Sequence, residues 1–367
     1  MLSLKFNKSI VIGKHAFISN DMGLTEKVCA LYGRDPKTTR LKVFYGNPLK
    51  ENETLEDALW GDNPRGDQPR LNCKLLEGSQ IHNIGAEVGV CPRIYAVFEM
   101  ELDYGDRKDR VGCQLTEFML GEYGTQDEVN VLGEKLKDIG KDFGFKYTKN
   151  ILNPRDSIDG KLFDIHQFAF EKSYKKTVEE IYTQDGKYGK KYYQDVKELG
   201  LVGGPRKSED RIGYLDLPAI DFKGKNVLVV GCAGGYFTRY VTDRGAKRVV
   251  GIDISDGAIK ACKHLANYLG YFNVDYYQHN AEKHFPTKLS FDYVFYLSLN
   301  FHIGMPGWVF EYAKKGVIFE DNHKTFRHDK HFVDNYPEIA GKFSSTKYVG
   351  SAQDQGGCNK SCYHLIK

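Results

Sequence analysis

The chemistry-bearing residues of this chain are densest in the run VLVVGCAGGYFT, residues 227–238. An apolar strand there runs into a turn of Gly, Cys and Ala, and a helix begins near Tyr236. Small residues at such a turn let a ligand approach the backbone beyond the carboxyl end of the strand. The helix start adds unpaired N–H groups and the positive end of a dipole. Eighteen residues after Gly235, a second apolar run ends in GIDIS. Asp253 then sits where a carboxylate can accept from both hydroxyls of a ribose. A dinucleotide fingerprint needs GxGxxG. From Gly231 the chain reads G-C-A-G-G-Y, with Ala at the second glycine position and Tyr at the third, a poor seat for a pyrophosphate. The eight cysteines (29, 73, 91, 113, 232, 262, 358 and 362) form no CxxC pair, and Cys358 and Cys362 have no His spaced to complete a zinc site. His279 and His284 of HNAEKH are a faint metal signal, since the first closes a strand, and no metal is expected.

The elements that must position these groups alternate. Apolar runs at 226–230, 248–254, 273–279, 293–298 and 316–320 have helix-length segments between most of them. That pattern predicts a parallel sheet with helices on both faces. The strand-like runs 346–351 and 361–366 have only SAQDQGGCNK between them, so an antiparallel hairpin at the sheet edge is expected to close the domain. Upstream, runs at 9–19, 27–32, 40–45, 93–102 and 110–120 read as strands of an antiparallel sheet. Residues 71–87 and 126–143 have helical period, the latter with Val129, Leu132, Leu136 and Ile139 on one face. A helix at 171–182 is followed by a Lys/Tyr/Gly stretch at 185–200, which reads as a solvated linker, and by the Gly-Gly-Pro break at 203–205. Three pieces follow: an α+β domain at 1–168, a helical linker at 169–222 and an α/β domain at 223–367.

A length of 367 residues suits two domains, and 41% apolar residues suffice for real cores. A net charge of +3 mandates neither nucleic acid nor an acidic membrane as partner. No apolar run approaches the ~20 residues that span a bilayer, and the first residues lack the pattern of a secretory signal. A cytoplasmic setting with reduced cysteines is expected.

The C-terminal domain resembles the class I S-adenosylmethionine-dependent methyltransferases, whose first motif runs VLDxGCGxGxF(T). Here VLVVGCAGGYF stands for it, followed by GIDIS, YYQHNAEK, FDYVFYLSLNFHI and KGVIFEDN in the family's order over about 145 residues. The resemblance implies a Rossmann-like sheet and S-adenosylmethionine as cofactor. It puts Gly231, Cys232, Ala233 and Gly235 at the methionine portion, Asp253 on the ribose and Ile254 against the adenine, with Tyr236 a further cofactor-binding residue. Asn280 and Ala281 would meet the adenine edge, and Leu297 and Ser298 the region of the sulfonium. The chain departs from the family twice: Val229 replaces the usual acid two positions before the first glycine, and Ala233 the central glycine.

Methyl transfer from a sulfonium depends on holding the nucleophile in line, and a general base helps where the acceptor is a hydroxyl or a protonated amine. The resemblance puts Asn300 and His302, just past the fourth strand, beside the reacting centre. Imidazole as a class titrates near ~6.5, suitable for a base. Glu320, Asp321 and His323 follow the fifth strand, and Glu320 is the third catalytic candidate.

The order of elements in 9–168 resembles the kinase-like fold in a degenerate form. Lys42 would be its phosphate-binding lysine, Glu77 the partner, Glu117–Met119 the hinge, and FGFKYTKNIL its catalytic loop, matched at Gly144 and Asn150–Leu152. Phe145 stands at the catalytic Asp position and His166 at that of the metal-binding Asp, so phosphoryl transfer is not expected. The reading that results is a methyltransferase acting on an unidentified acceptor, a sugar or other small molecule, with an N-terminal domain that recognises substrate or partner. A non-catalytic S-adenosylmethionine-binding adaptor and an RNA methyltransferase, the latter motivated by the Lys/Tyr stretch at 186–197, are the alternatives.

Overall fold

A computed structural model describes residues 10–18, 22–48, 75–103, 108–119, 121–147, 152, 154, 157–162, 168–170, 174–184, 194–202, 208–323, 331–353 and 359–367. They divide into two units, Met1–Thr177 with Asn267–Phe272, and Val178–Ala266 with Asn273–Lys367. Among the described residues no helix is long and apolar enough to cross a membrane.

In the first unit, strands β1 (Ile10–Ile18), β2 (Thr39–Pro48), β3 (Ile94–Asp103) and β4 (Lys108–Glu117) form an antiparallel sheet in the order β1-β2-β4-β3. The run 27–32, expected as a strand, is instead the second half of helix α1 (Met22–Tyr32). Thr25, Val28 and Cys29 are buried at helical spacing, so period 3.6 decides over β-rich composition. Helix α2 (Leu75–Glu87) follows, and α3 (Gln126–Phe143) coincides with its expected span. Thr125 caps α3 in a reciprocal box with Glu128, Val129, Leu132 and Leu136 are buried, and Gly144 ends the helix at φ +72. Two small ladders complete the unit, β5 (Phe145–Tyr147) with β8 (Phe168–Phe170) and β6 (Ser157–Ile158) with β7 (Lys161–Leu162).

The residues of the kinase-like comparison are dispersed over these elements. Lys42 lies on β2 opposite Gln114, and Glu77 accepts a hydrogen bond from the Phe170 backbone at 3.1 Å. Glu117 ends β4 and pairs with Lys161 at 2.8 Å, with Met119 just beyond the strand. Phe145 is a buried ring set edge-on to Phe170, and Leu152 is buried. Asn150 and His166 lie outside the described residues.

The second unit takes in helix α4 (Tyr174–Gln184) from Val178 onward. Its sheet contains β9 (Asn226–Val230), β10 (Arg248–Asp253), β11 (Val274–Gln278), β12 (Phe291–Leu297), β13 (Ala313–His323), β14 (Ser345–Gln353) and β15 (Asn359–Ile366). The order is β11-β10-β9-β12-β13-β15-β14. The first five are parallel, and β15 and β14 close the sheet as an antiparallel hairpin. This is the Rossmann-like α/β arrangement expected. Val227, Leu228, Val229 and Val230 are all buried, as a central strand covered on both faces requires. Each such side chain contributes about 1.5–3 kcal/mol by leaving water. Helices α5 (Tyr236–Asp243) and α6 (Asp256–Leu269) make the first two crossovers, and short helices α7 (Asn300–Ile303) and α8 (Gly307–Glu311) lie between β12 and β13.

Of the Lys/Tyr/Gly stretch expected to be solvated, Gln194, Val196 and Leu199 are buried while Lys197, Glu198 and Gly200 are exposed. Tyr182, Leu215, Leu217 and Phe222 on either side of it are buried as well. Residues 185–193, most of the basic stretch, lie outside the described residues.

Candidate cofactor and active site

Sheet register builds the site. Val230 pairs with Ile252 on one side and Tyr296 on the other. The next residue of each strand, Gly231, Asp253 and Leu297, therefore reaches the same carboxyl edge. The order of strands reverses at β9, and such a switch point leaves a crevice between diverging crossovers.

The glycine turn is shaped by its backbone. Gly231 (φ +66), Ala233 (φ +46) and Gly235 (φ +74) are left-handed. A Cβ on Gly235 would lie 2.9 Å from Cys262 Sγ, so glycine is needed there for space and for φ. The side chain of Cys232 is buried and hydrogen-bonded to Cys262, which together with burial pushes its thiol far up. Cys232 thus offers the crevice only backbone. Tyr236 opens α5 half-buried, its hydroxyl pushed up to about 12 by burial.

Asp253 clamps this turn. Its Oδ2 accepts from the Ala233 N–H at 2.9 Å and its Oδ1 from the Ser255 N–H at 2.9 Å. A carboxylate has about four acceptor sites, so each oxygen keeps a lone pair for a ribose hydroxyl. Beside it Ile254 is 61% exposed, an apolar surface that a flat ring could cover. The His279 N–H donates to the Asp253 carbonyl at 2.8 Å, which brings the β11 loop alongside. There the Asn280 side chain turns back on Glu282, and the Ala281 carbonyl accepts from Trp308 Nε1 at 3.1 Å. A turn of small residues with Leu299 packed on Gly231, a carboxylate with spare acceptors and an exposed aliphatic face together fit an adenosine with a small charged tail.

The end of β12 is strained and ionic. Leu297 is buried, and Ser298 has φ +60, a conformation that costs a non-glycine residue of order 1–3 kcal/mol. Its hydroxyl bonds the carboxylate of Glu320, which is fully buried. Arg211 grips the same carboxylate with Nη2 at 2.7 Å and Nε at 3.1 Å, Tyr214 donates at 3.0 Å, and Lys360 lies at 3.3 Å. Burial works against the Arg211 charge, but Glu320 and Tyr214 overcome it and its pKa is raised. In Tyr214, burial and the Glu320 charge both push the hydroxyl up.

The remaining candidates lie apart from that network. Asn300 begins α7 and ties it to β13, donating to Asp321 and accepting from the Asn322 N–H at 3.2 Å. His302 is exposed, its ring edge-on to Phe301, and it makes no side-chain hydrogen bond among the described residues. Phe301 is 69% exposed. The structure thus brings the glycine turn, Asp253, Ile254, Asn280, Ala281, Leu297 and Ser298 to one edge. It separates Glu320, sealed among cations, from the open His302. Arg211, Tyr214 and Lys360 were not anticipated, because only the fold brings them to Glu320.

Residues 227–313 match a family model described as a methyltransferase domain. A ubiquinone biosynthesis O-methyltransferase from Nitrosococcus oceani is 35% identical over 104 residues, 28% of this chain and 42% of the relative. A protein of the same name from Nitrosospira multiformis is 45% identical over 53 residues, 14% of this chain and 21% of the relative. The chain thus spans less than half the length of the curated relatives it matches. Among solved structures, the bifunctional kinase-methyltransferase WbdD aligns with TM-score 0.38 at 21% identity, over 47% of this chain and 43% of that one. A putative S-adenosylmethionine-dependent methyltransferase from Listeria monocytogenes aligns with TM-score 0.35 at 16% identity, over 44% of this chain and 100% of that one. The C-terminal part of this chain contains a Rossmann-like methyltransferase domain of the class that uses S-adenosylmethionine.

Proposed function

We propose that the protein is a methyltransferase acting on a hydroxyl of a small molecule or sugar, with His302 as the general base. The observation that carries this is the open His302 imidazole on the short helix that follows the end of β12, the strand beside the glycine-turn strand. S-adenosylmethionine, when bound, supplies an electrophilic methyl group. Asp253 would hold the ribose, Ile254 and Ala281 the adenine, and the Gly231–Gly235 turn the methionine end. His302 takes the proton of the acceptor hydroxyl at a ring nitrogen, and exposed Phe301 gives the acceptor an apolar rest. Asn300 fixes the position of α7 through Asp321 and Asn322.

In this reading Glu320 orients Ser298 and the end of β12 rather than moving a proton. A carboxylate shared by two buried cations is a poor base. The O-methyltransferase names of the curated relatives favour an oxygen acceptor. The N-terminal unit serves recognition of acceptor or partner, since a buried Phe145 stands where the kinase-like comparison needs a carboxylate.

The test is formation of S-adenosylhomocysteine from S-adenosylmethionine with panels of sugars, phenols and RNA. Turnover with a hydroxyl acceptor that falls at least tenfold in His302→Ala, at unchanged cofactor affinity, is expected. Turnover with RNA alone would reassign the acceptor. Cofactor binding without turnover on any panel would favour a non-catalytic adaptor, the reading that Val229 motivates.

A further inference from the structure

The usual acid before the first glycine is replaced by Val229, which is buried on β9. A bound aminoacyl tail carries an ammonium that needs an acceptor, and this strand supplies none. The segment before β9 comes to the turn instead. Tyr182 Oη donates to the Gly234 carbonyl at 2.9 Å, and Arg239 Nη1 donates to the same oxygen at 2.8 Å. Arg239 also reaches Glu198 of this segment at 3.3 Å, and Val196 bridges to Leu201. Within this packing Gln194 is 5% exposed. A Cβ added to Gly234 would meet Gln194 Oε1 at 3.0 Å, so that oxygen lies directly over the turn. Among the described residues no donor reaches it. A buried acceptor without a donor is costly and calls for a partner.

We propose that Gln194 is the acceptor for the ammonium of the cofactor's methionine portion, taking the place of the acid absent at position 229. The inference rests on the reading of the glycine turn as the cofactor site. It accounts for a segment outside the β9–β13 core being folded onto Gly234, where a Cβ would press on Gln194 Oε1.

The experiment compares S-adenosylhomocysteine with 5′-methylthioadenosine, which has the same nucleoside and no amino acid, by calorimetry. Wild type should bind both. Gln194→Leu should weaken S-adenosylhomocysteine by about tenfold to a hundredfold, as loss of a charge-assisted hydrogen bond does. The same change should leave 5′-methylthioadenosine within about threefold. Gln194→Glu, nearly isosteric, should raise the preference for S-adenosylhomocysteine, and it carries the test alone if the leucine variant does not fold. Equal weakening of both ligands by the leucine variant would assign Gln194 to packing and overturn the proposal. So would an unchanged S-adenosylhomocysteine affinity in that variant, or a lowered preference in the glutamate variant. A wild type that binds neither ligand would remove the cofactor reading itself, and this inference with it.

Discussion

Replacing Glu320 with Gln separates its two readings, base or structural counter-ion. The side chain is 0% exposed, and it binds Arg211, Lys360, Tyr214 and Ser298 at once. Arg211 is 6% exposed and Lys360 1%, so both cations sit in a medium where water cannot replace the lost charge. Breaking a buried ion pair by neutralising one partner costs about 3–5 kcal/mol. A unit of this size shifts its melting point by about 2–4 °C per kcal/mol, so a fall of about 6–20 °C is expected. Thermal melts followed by circular dichroism and by intrinsic fluorescence would read it. Adding Lys360→Met to the Gln variant should recover part of the loss, because one stranded cation is removed with it. The excess over additivity in that double-mutant cycle measures the pair. A Glu320→Gln variant that melts within about 2 °C of wild type would refute the argument. If it also lost turnover at intact affinity for S-adenosylhomocysteine, Glu320 would become the base.

Other expectations come from the same geometry. Asp253→Ala should weaken S-adenosylhomocysteine by about a hundredfold or more, since ribose contacts and the Ala233 clamp go together, and calorimetry showing less than threefold would reject the clamp. Ala233→Gly should raise stability by about 0.5–1 kcal/mol by relieving a non-glycine residue at φ +46, read as a higher melting temperature. His264 is buried on α6, and burial followed by Lys260 and Lys263 depresses its pKa to about 4. The unfolded chain therefore takes up the proton first as pH falls from the unfolded value near ~6.5. About 3 kcal/mol of stability should be lost between that pH and about 4, at 1.36 kcal/mol per unit. Urea titrations at pH 7 and pH 4.5 on wild type and His264→Leu would show it as a smaller pH effect in the variant.

The glycine turn, the Asp253 spacing and the strand–helix alternation were legible along the chain because each is a local pattern. Apolar runs of strand length, a turn of small residues and a carboxylate at a strand end keep their meaning without knowledge of what lies beside them. Local pattern misled at 27–32, where a short β-rich run packs as helix α1 because its buried residues recur with period 3.6. It misled in part in the 185–200 stretch, where polar composition hid a buried Gln194.

Local pattern along the chain suffices for the class of domain and for the strand ends that carry the glycine turn and Asp253. Which candidate side chains stay open to solvent follows instead from strand order and long-range packing. Glu320 and His302 both follow strands of the same sheet and look alike in a list of acids and bases. Arg211 lies 109 residues from Glu320 in sequence, and Lys360 reaches it because β15 inserts beside β13. Strand order and register place those cations, and their charges hold Glu320 as a counter-ion while His302 remains in contact with solvent. A carboxylate's role is set by the charges around it, and those come from parts of the chain that sequence spacing does not connect.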